Sequence, residues 1–371
     1  MKTSHTFFCD EAGNSGGQYF HPDQPIYAEG GWVISHGQRA AAMEFVADLE
    51  KTRGYSPRTK GSFLKSAAAG RAYMEEAQVG LGQIGAPFLY LVEKRYFACS
   101  KAVETYFDPN SNSAVAPDET KRPIAYRMRA EKLYAAPDTL IAAFAQAYRG
   151  HDAAGIEAVG KDWEEFLIST GDVVMATELR AGLSGIRRNM RKELISDEKP
   201  PFPSGLDCLN MPSMARVFQL VEQHCPPCDM VHGECAGFEA AYRYVFDQLR
   251  NIDAAELETV DGRKRAFGFT RLTSLSFADS EEQPLLRVSD YLVASCVDFA
   301  QRAAADAEIP SGLAQCAYPG LGGILSWVLS QMLPVERRVR QMGEAVASDS
   351  WMRRVFGTFY KMTRPDQPVG R

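Results

Sequence analysis

No apolar run in this 371-residue chain approaches the roughly 20 residues that a membrane-spanning helix needs, so no contact with a membrane is expected. A basic excess is missing too: 41 Lys and Arg stand against 47 Asp and Glu, for a net charge of -6 and a pI near 5.7. That balance excludes a uniformly basic nucleic-acid coat and leaves any such contact to local patches. Eight cysteines are too few for a disulfide scaffold in a chain this long. The first residues offer no apolar signal core, because Asp10 and Glu11 fall where it would lie; a cytoplasmic protein with mostly reduced thiols is the expectation. Internal repeats and low-complexity tracts are absent from the sequence. Gly13, Gly16 and Gly17 open no helical pattern and so make no dinucleotide fingerprint. His5 and His21 lack a Ser or Cys partner at interpretable spacing, which removes support for nucleophilic triad chemistry.

What is present is a 45% hydrophobic composition, ample for a large core. Apolar runs at 5–10, 26–35, 87–93, 229–234 and 272–277 read as strands. Periodic segments at 38–52, 68–84, 212–224, 238–249 and 285–303 read as helices. Strands with helices between them predict an α/β protein. The polar stretch 108–113 breaks this pattern, after which 124–148, 156–167 and 177–194 are helical in spacing, until the proline-rich linker 199–205. The predicted organisation is a discontinuous core of 1–107 and 211–303, a helical insertion lobe of 108–210 and a C-terminal helical extension of 304–371.

The chemistry lies in the acids. Asp10 ends an apolar strand and is followed by Glu11 and a Gly/Asn turn; Glu234 ends a later strand, Asp279 follows the last one, and Asp290 sits among Leu286, Val288, Leu292 and Val293. An ionised carboxylate in such surroundings needs a partner, a cation or a shifted pKa. Convergent carboxylates suit Mg2+ or Mn2+, one ion or two, and such ions activate water in phosphodiester hydrolysis. The plainer alternatives are that Asp10 and Glu11 begin a polar hairpin and that Asp290 pairs with a core Arg or caps a helix.

Other signals compete. Cys225 and Cys228 have Cys-x-x-Cys spacing with His232 and Cys235 nearby, but no second such pair follows, so zinc is not expected. Lys60 and Lys94 are candidate phosphate contacts, or ordinary surface lysines. Arg187, Arg188, Arg191 and Lys192 form a basic cluster on a predicted helix, as do Arg263, Lys264 and Arg265 on a turn and Arg337, Arg338 and Arg340 further on; each is a nucleic-acid contact or a solvated face.

The opening Cys9-Asp10-Glu11-Ala12-Gly13-Asn14, the segment Lys60-Gly61-Ser62, the strand end Glu93-Lys94, and Phe277-Ala278-Asp279-Ser280 followed by Leu285 through Ala294 resemble the family called domain of unknown function 3800. The resemblance spans about 5–107 and 212–300. It implies a ribonuclease H-like mixed sheet with flanking helices, a metal-dependent nuclease or related phosphodiester hydrolase, and association with mobile elements or phage defence. Under it, Asp10, Glu234 and Asp290 are the expected catalytic ligands, Asp279 a further ligand, and Glu11 and Asn14 supporting groups. Ala12 stands where the family typically has Ser, and Glu234 where it often has Asp; the longer Glu arm puts activity in question. The other reading is a non-catalytic binding or regulatory subunit that keeps the fold and joins a protein partner through the insertion. The oligomeric state is left open.

Overall fold

The run Phe7-Phe8-Cys9 becomes the fully buried middle of β1 (His5–Ala12). β2 (Ile26–Ser35) pairs antiparallel with it, and α1 (Arg39–Arg53) and α2 (Ala68–Leu81) precede β3 (Gly85–Glu93), which pairs antiparallel with β2. Pro87 is tolerated inside β3 because that strand lies at the sheet edge. α3 (Lys94–Phe107) starts directly off β3, and α4 (Pro123–Tyr134), α5 (Asp138–Arg149), α6 (Ala153–Ser169) and α7 (Val173–Leu183) follow. The chain returns through α8 (Asn210–His224), β4 (Cys228–Gly233) and α9 (Glu239–Arg250). It then passes through a separate hairpin of β5 (Ala255–Glu258) and β6 (Lys264–Phe267), then β7 (Leu272–Ala278) and α10 (Pro284–Ala304).

This computed structural model describes residues 3–13, 20, 23–56, 59–60, 67–109, 111–115, 123–150, 152–189, 210–252, 255–258 and 264–305, with 307 and 313. Asn14, Gly61, Ser62, Arg191, Lys192, the linker 199–205, Arg263, the cluster at Arg337, Arg338 and Arg340 and nearly all of the 304–371 extension lie outside the described residues.

The main sheet has the order β3-β2-β1-β4-β7, with β4 and β7 parallel to β1. α10, α1 and α2 pack together on one side, where Arg39 of α1 stacks over the Phe8 ring, and α8 and α9 pack together on the other. The protein is therefore α/β, with a mixed five-stranded sheet and flanking helices, as its alternation of strands and helices predicts.

A second core joins α3 to the helices after it, around Tyr106, Phe144, Trp163 and Leu179. It takes in Tyr96, Cys99 and Val103 of α3, so it begins upstream of the boundary read at 108. Two expected helices are each interrupted. The segment 124–148 breaks before Pro137, which cannot donate to a continuing helix and instead starts α5. The segment 177–194 breaks at Ser184 and Gly185; a Cβ on Gly185 would stand 2.2 Å from Asn112 Oδ1, so glycine permits the close approach. Asn112, fully buried, donates to the Thr105 and Gly182 carbonyls at 3.0 and 2.9 Å and accepts from Ala114 N–H and Asn189 Nδ2 at 3.1 and 2.8 Å. The loop at 108–113 is thus pinned to the end of α7.

Glu222 of α8 sets the entry to β7. Its carboxylate accepts from Thr270 N–H and Oγ1, both at 2.9 Å, and from Arg271 and Leu272 N–H at 2.7 and 2.8 Å. Glu222→Ala strands these donors, one of them at the fully buried Leu272, and is expected to cost about 2–3 kcal/mol in urea unfolding. A shift below about 0.5 kcal/mol would show that water replaces the carboxylate.

Candidate functional site

β1, β3, β4 and β7 run in one direction, so their C-terminal ends share one edge of the sheet. Asp10 and Glu11 lie near the end of β1, Glu93 closes β3, Glu234 follows β4 and Asp279 follows β7. In open α/β sheets, ligands collect outside this edge.

Pairing of β1 with β4 stops at Cys9 and His232, which leaves Asp10 just past the ladder. A Cβ on Gly233 would stand 2.9 Å from Asp10 Oδ1, so the carboxylate lies across the glycine and uses the space a side chain would fill. Asp10 Oδ1 also accepts the Glu11 N–H at 2.9 Å. α10 then carries Asp290 to this place. Ser289 Oγ stands 2.9 Å from both the Phe8 and Leu285 carbonyl oxygens, tying the helix to β1. A Cβ on Gly31 would lie 1.9 Å from the Phe8 carbonyl oxygen and 2.5 Å from Ser289 Oγ, so glycine at 31 allows α10 to lie this close. Asp290 is partly exposed between the fully buried Ser289 and Tyr291.

The three acids feel one another. Burial, with repulsion from Glu11 and Asp290, pushes the Asp10 carboxyl up to about 8, against the opposing pull of His232. Burial chiefly pushes Glu11 up to about 7; Asp290 adds to the rise and Lys60 opposes it. On the α9 side, His232 is fully buried, with Nδ1 2.7 Å from the Gly233 carbonyl oxygen. That oxygen can only accept, so Nδ1 carries the hydrogen. His232 Nε2 faces Glu11 Oε2 at 3.5 Å, and neither buried atom has a hydrogen-bond partner. Burial lowers the His232 pKa below its ordinary value. Beneath this pair, Glu29 opposes Glu11 across the ladder and accepts from the hydroxyl of Tyr27 and, at 3.4 Å, from that of Tyr242.

The other expected site residues are placed differently. Glu234 is exposed in the turn after β4, its N–H bonded to the Ala278 carbonyl at 3.1 Å. Asp279 shapes the turn into α10, its Oδ1 accepting Glu281 N–H at 2.8 Å. Lys60 is exposed at the rim, its Nζ 3.0 Å from Ser280 Oγ and within electrostatic reach of Glu11. Lys94, in contrast, is fully buried at the start of α3. Arg187 and Arg188 are exposed; Arg187 pairs with Glu157 at 2.8 Å and Arg188 donates to Ser113. Cys225 and Cys228 are buried thiols raised in pKa by that burial, with Cys228 at the opposite end of β4 from the acids.

Glu11 and His232 are the residues whose part in the cluster the sequence understates. Glu11 reads as a support and His232 as a distant companion of the cysteines; the β1–β4 register, a tertiary property, is what brings them together. Among the described residues, no group of three His, Cys, Asp or Glu side chains converges as an ion's ligands would. The donor chemistry still fits a divalent cation: a carboxylate oxygen and an imidazole nitrogen, both buried and unbonded, border two further acids.

The raised pKa values carry a pH dependence. Because the folded chain holds these protons more tightly than the unfolded chain, the two groups favour folding most at the acidic end of pH 4–8, and that contribution is lost as pH rises through about 7 and 8. In metal-free buffer, Asp10→Asn removes one repelling charge and is expected to raise stability at pH 8.5 by about 1–2 kcal/mol relative to the parent, with little gain at pH 5. Thermal unfolding at the two pH values measures it; an equal effect at both would show that Asp10 is not held in a repelling cluster.

The fold and site together define an α/β protein with a partly buried acidic cluster at the C-terminal edge of a mixed sheet. Among the described residues, no helix is long and apolar enough to cross a membrane. The chain matches no protein-family model, no curated protein and no solved structure.

Proposed function

We propose that this chain is a divalent-cation-dependent phosphodiester hydrolase acting on a nucleic acid or nucleotide, built on a ribonuclease H-like core of the kind the domain of unknown function 3800 resemblance implies. The observation that carries the reading is the mutual repulsion of Asp10, Glu11 and Asp290 at an edge where two separate elements, β1 and α10, deliver them. Stability alone does not favour such an arrangement, whereas binding a cation does. Asp10, Glu11 and Asp290 would hold the ion, with Glu234 in the adjoining turn. A divalent ion there supplies an activated water and charge neutralisation for a phosphodiester.

The chain's own residues do the rest. Gly233 clears the space that Asp10 occupies, and Gly31 lets α10, which carries Asp290, lie close against β1. Ser289 fixes the helix that carries Asp290, and Arg287 fixes the preceding turn, donating to the Ser280 and Glu281 carbonyls at 2.8 Å while its guanidinium pairs with buried Glu50 at 2.6 Å. That turn presents Ser280 to Lys60, the cation placed to meet a phosphate entering from solvent. Arg187 and Arg188 are candidates for backbone contact farther out, without choice of sequence.

A partner role for the helical lobe has its own support. Ile168, Val173 and Val174 are 46%, 59% and 73% exposed at the corner between α6 and α7, more apolar surface than a solvated corner favours.

The test is hydrolysis of single-stranded and duplex DNA and RNA by EDTA-treated protein with Mg2+ or Mn2+ restored. Cleavage that appears only with added ion supports the reading. Cleavage unaffected by EDTA, or none on any substrate with either ion, overturns it.

A further inference from the structure

Resting on that reading of the acids as a cation site, we propose that His232 supplies a nitrogen ligand, so that the centre selects Mn2+ over Mg2+. The imidazole is set up for ligation. Its Nδ1–H is spent on the Gly233 carbonyl at 2.7 Å, the backbone contact by which ligating histidines fix their tautomer, and this leaves Nε2 as the lone-pair atom. The ring cannot easily turn away, because Tyr242 and Phe277 wall it at centroid distances of 5.5 and 5.7 Å. Nε2 is fully enclosed, has no hydrogen-bond partner, and points at the equally unpartnered Glu11 Oε2.

Two electron-rich atoms facing each other in the interior are costly unless a positive group sits between or beside them. Their separation of 3.5 Å matches that of adjacent ligands on one ion, since donors about 2.1 Å from a common metal lie about 3.0–3.5 Å apart. Asp10, lying across the neighbouring Gly233, is within electrostatic reach of both His232 and Glu11. Mg2+ strongly prefers oxygen and gives up its water reluctantly, whereas first-row transition ions accept imidazole; in a set of one nitrogen and several carboxylates, Mn2+ therefore gains over Mg2+.

Calorimetric titration of EDTA-treated protein with MnCl2 and with MgCl2, for the parent, His232→Gln and Asp10→Asn, tests the assignment. The parent should bind Mn2+ about 10-fold or more tightly than Mg2+. His232→Gln should lose about 10-fold or more for Mn2+ with little change for Mg2+, because even the partners of a ligand are worth roughly 10–100-fold. Asp10→Asn should weaken both. Electron-spin-echo modulation of the Mn2+-loaded parent reads the bond without any variant, and a nitrogen-14 coupling of a bound imidazole is expected. If Asp10→Asn loses both ions but the nitrogen coupling is missing and His232→Gln binds Mn2+ as the parent does, the nitrogen ligand is refuted while the carboxylate site stands. A proton shared by His232 and Glu11 would give that result. If the parent binds neither ion, both this inference and the proposed function fall.

Discussion

Asp10→Asn is expected to lower cation-dependent hydrolysis about 1,000-fold, roughly 4 kcal/mol of transition-state stabilisation, while the chain stays folded. The swap keeps the volume that Gly233 leaves for this side chain and keeps an oxygen able to accept the Glu11 N–H, so the local structure has no reason to collapse. What it deletes is the charge that, on the proposed reading, would hold the cation. Asp290→Asn should act in the same direction, since Ser289 ties α10 to β1 and remains in the variant. The pairing of lost hydrolysis with unchanged or raised stability in metal-free buffer is the signature of a functional acid. A structural acid such as Glu222 should show the reverse, lost stability with hydrolysis following it. If both Asn variants hydrolyse as the parent does, the chemistry is not at this edge.

Gly31→Ala should be among the most damaging single methyl additions in the sheet, costing about 3 kcal/mol or more, because the new Cβ meets main chain. At 1.9 Å from the Phe8 carbonyl oxygen and 2.5 Å from Ser289 Oγ, it forces either β1 from β2 or α10 from both. In the second case Asp290 leaves the cluster, so surviving folded protein should also have lost hydrolysis. Urea unfolding checks the first effect and an activity assay on the folded fraction the second. Stability within about 0.5 kcal/mol of the parent would mean that the helix is not seated as described.

How much of this was legible in the sequence depends on the element. The run 26–35 reads as a strand along its whole length because every residue but Glu29 tolerates burial, and β2 has those bounds. α3 escapes sequence reading because it begins immediately after β3, with no turn residue and no side-chain cap to mark its start. β6 escapes because Lys264 and Arg265, adjoining Arg263, read as a solvated turn. The acids at the strand ends are visible as misplaced charges, which is how Asp10 and Asp290 stand out. Their neighbours are not so visible. His232 looks unremarkable in Met230-Val231-His232-Gly233 until parallel pairing sets it beside Cys9 and brings its ring to Glu11. Glu234, which reads as the natural third ligand, turns outward because β4 ends one residue before it. Strand register and strand ends set which acids meet, and both are fixed by tertiary packing.

The most direct measurement is anomalous diffraction from crystals of the protein soaked in Mn2+. The account predicts a manganese peak at the C-terminal edge of the sheet, within about 2.0–2.6 Å of carboxylate oxygens from both Asp10 and Asp290. A map with no peak at this edge under saturating Mn2+, or with its only peak on other residues, would contradict it.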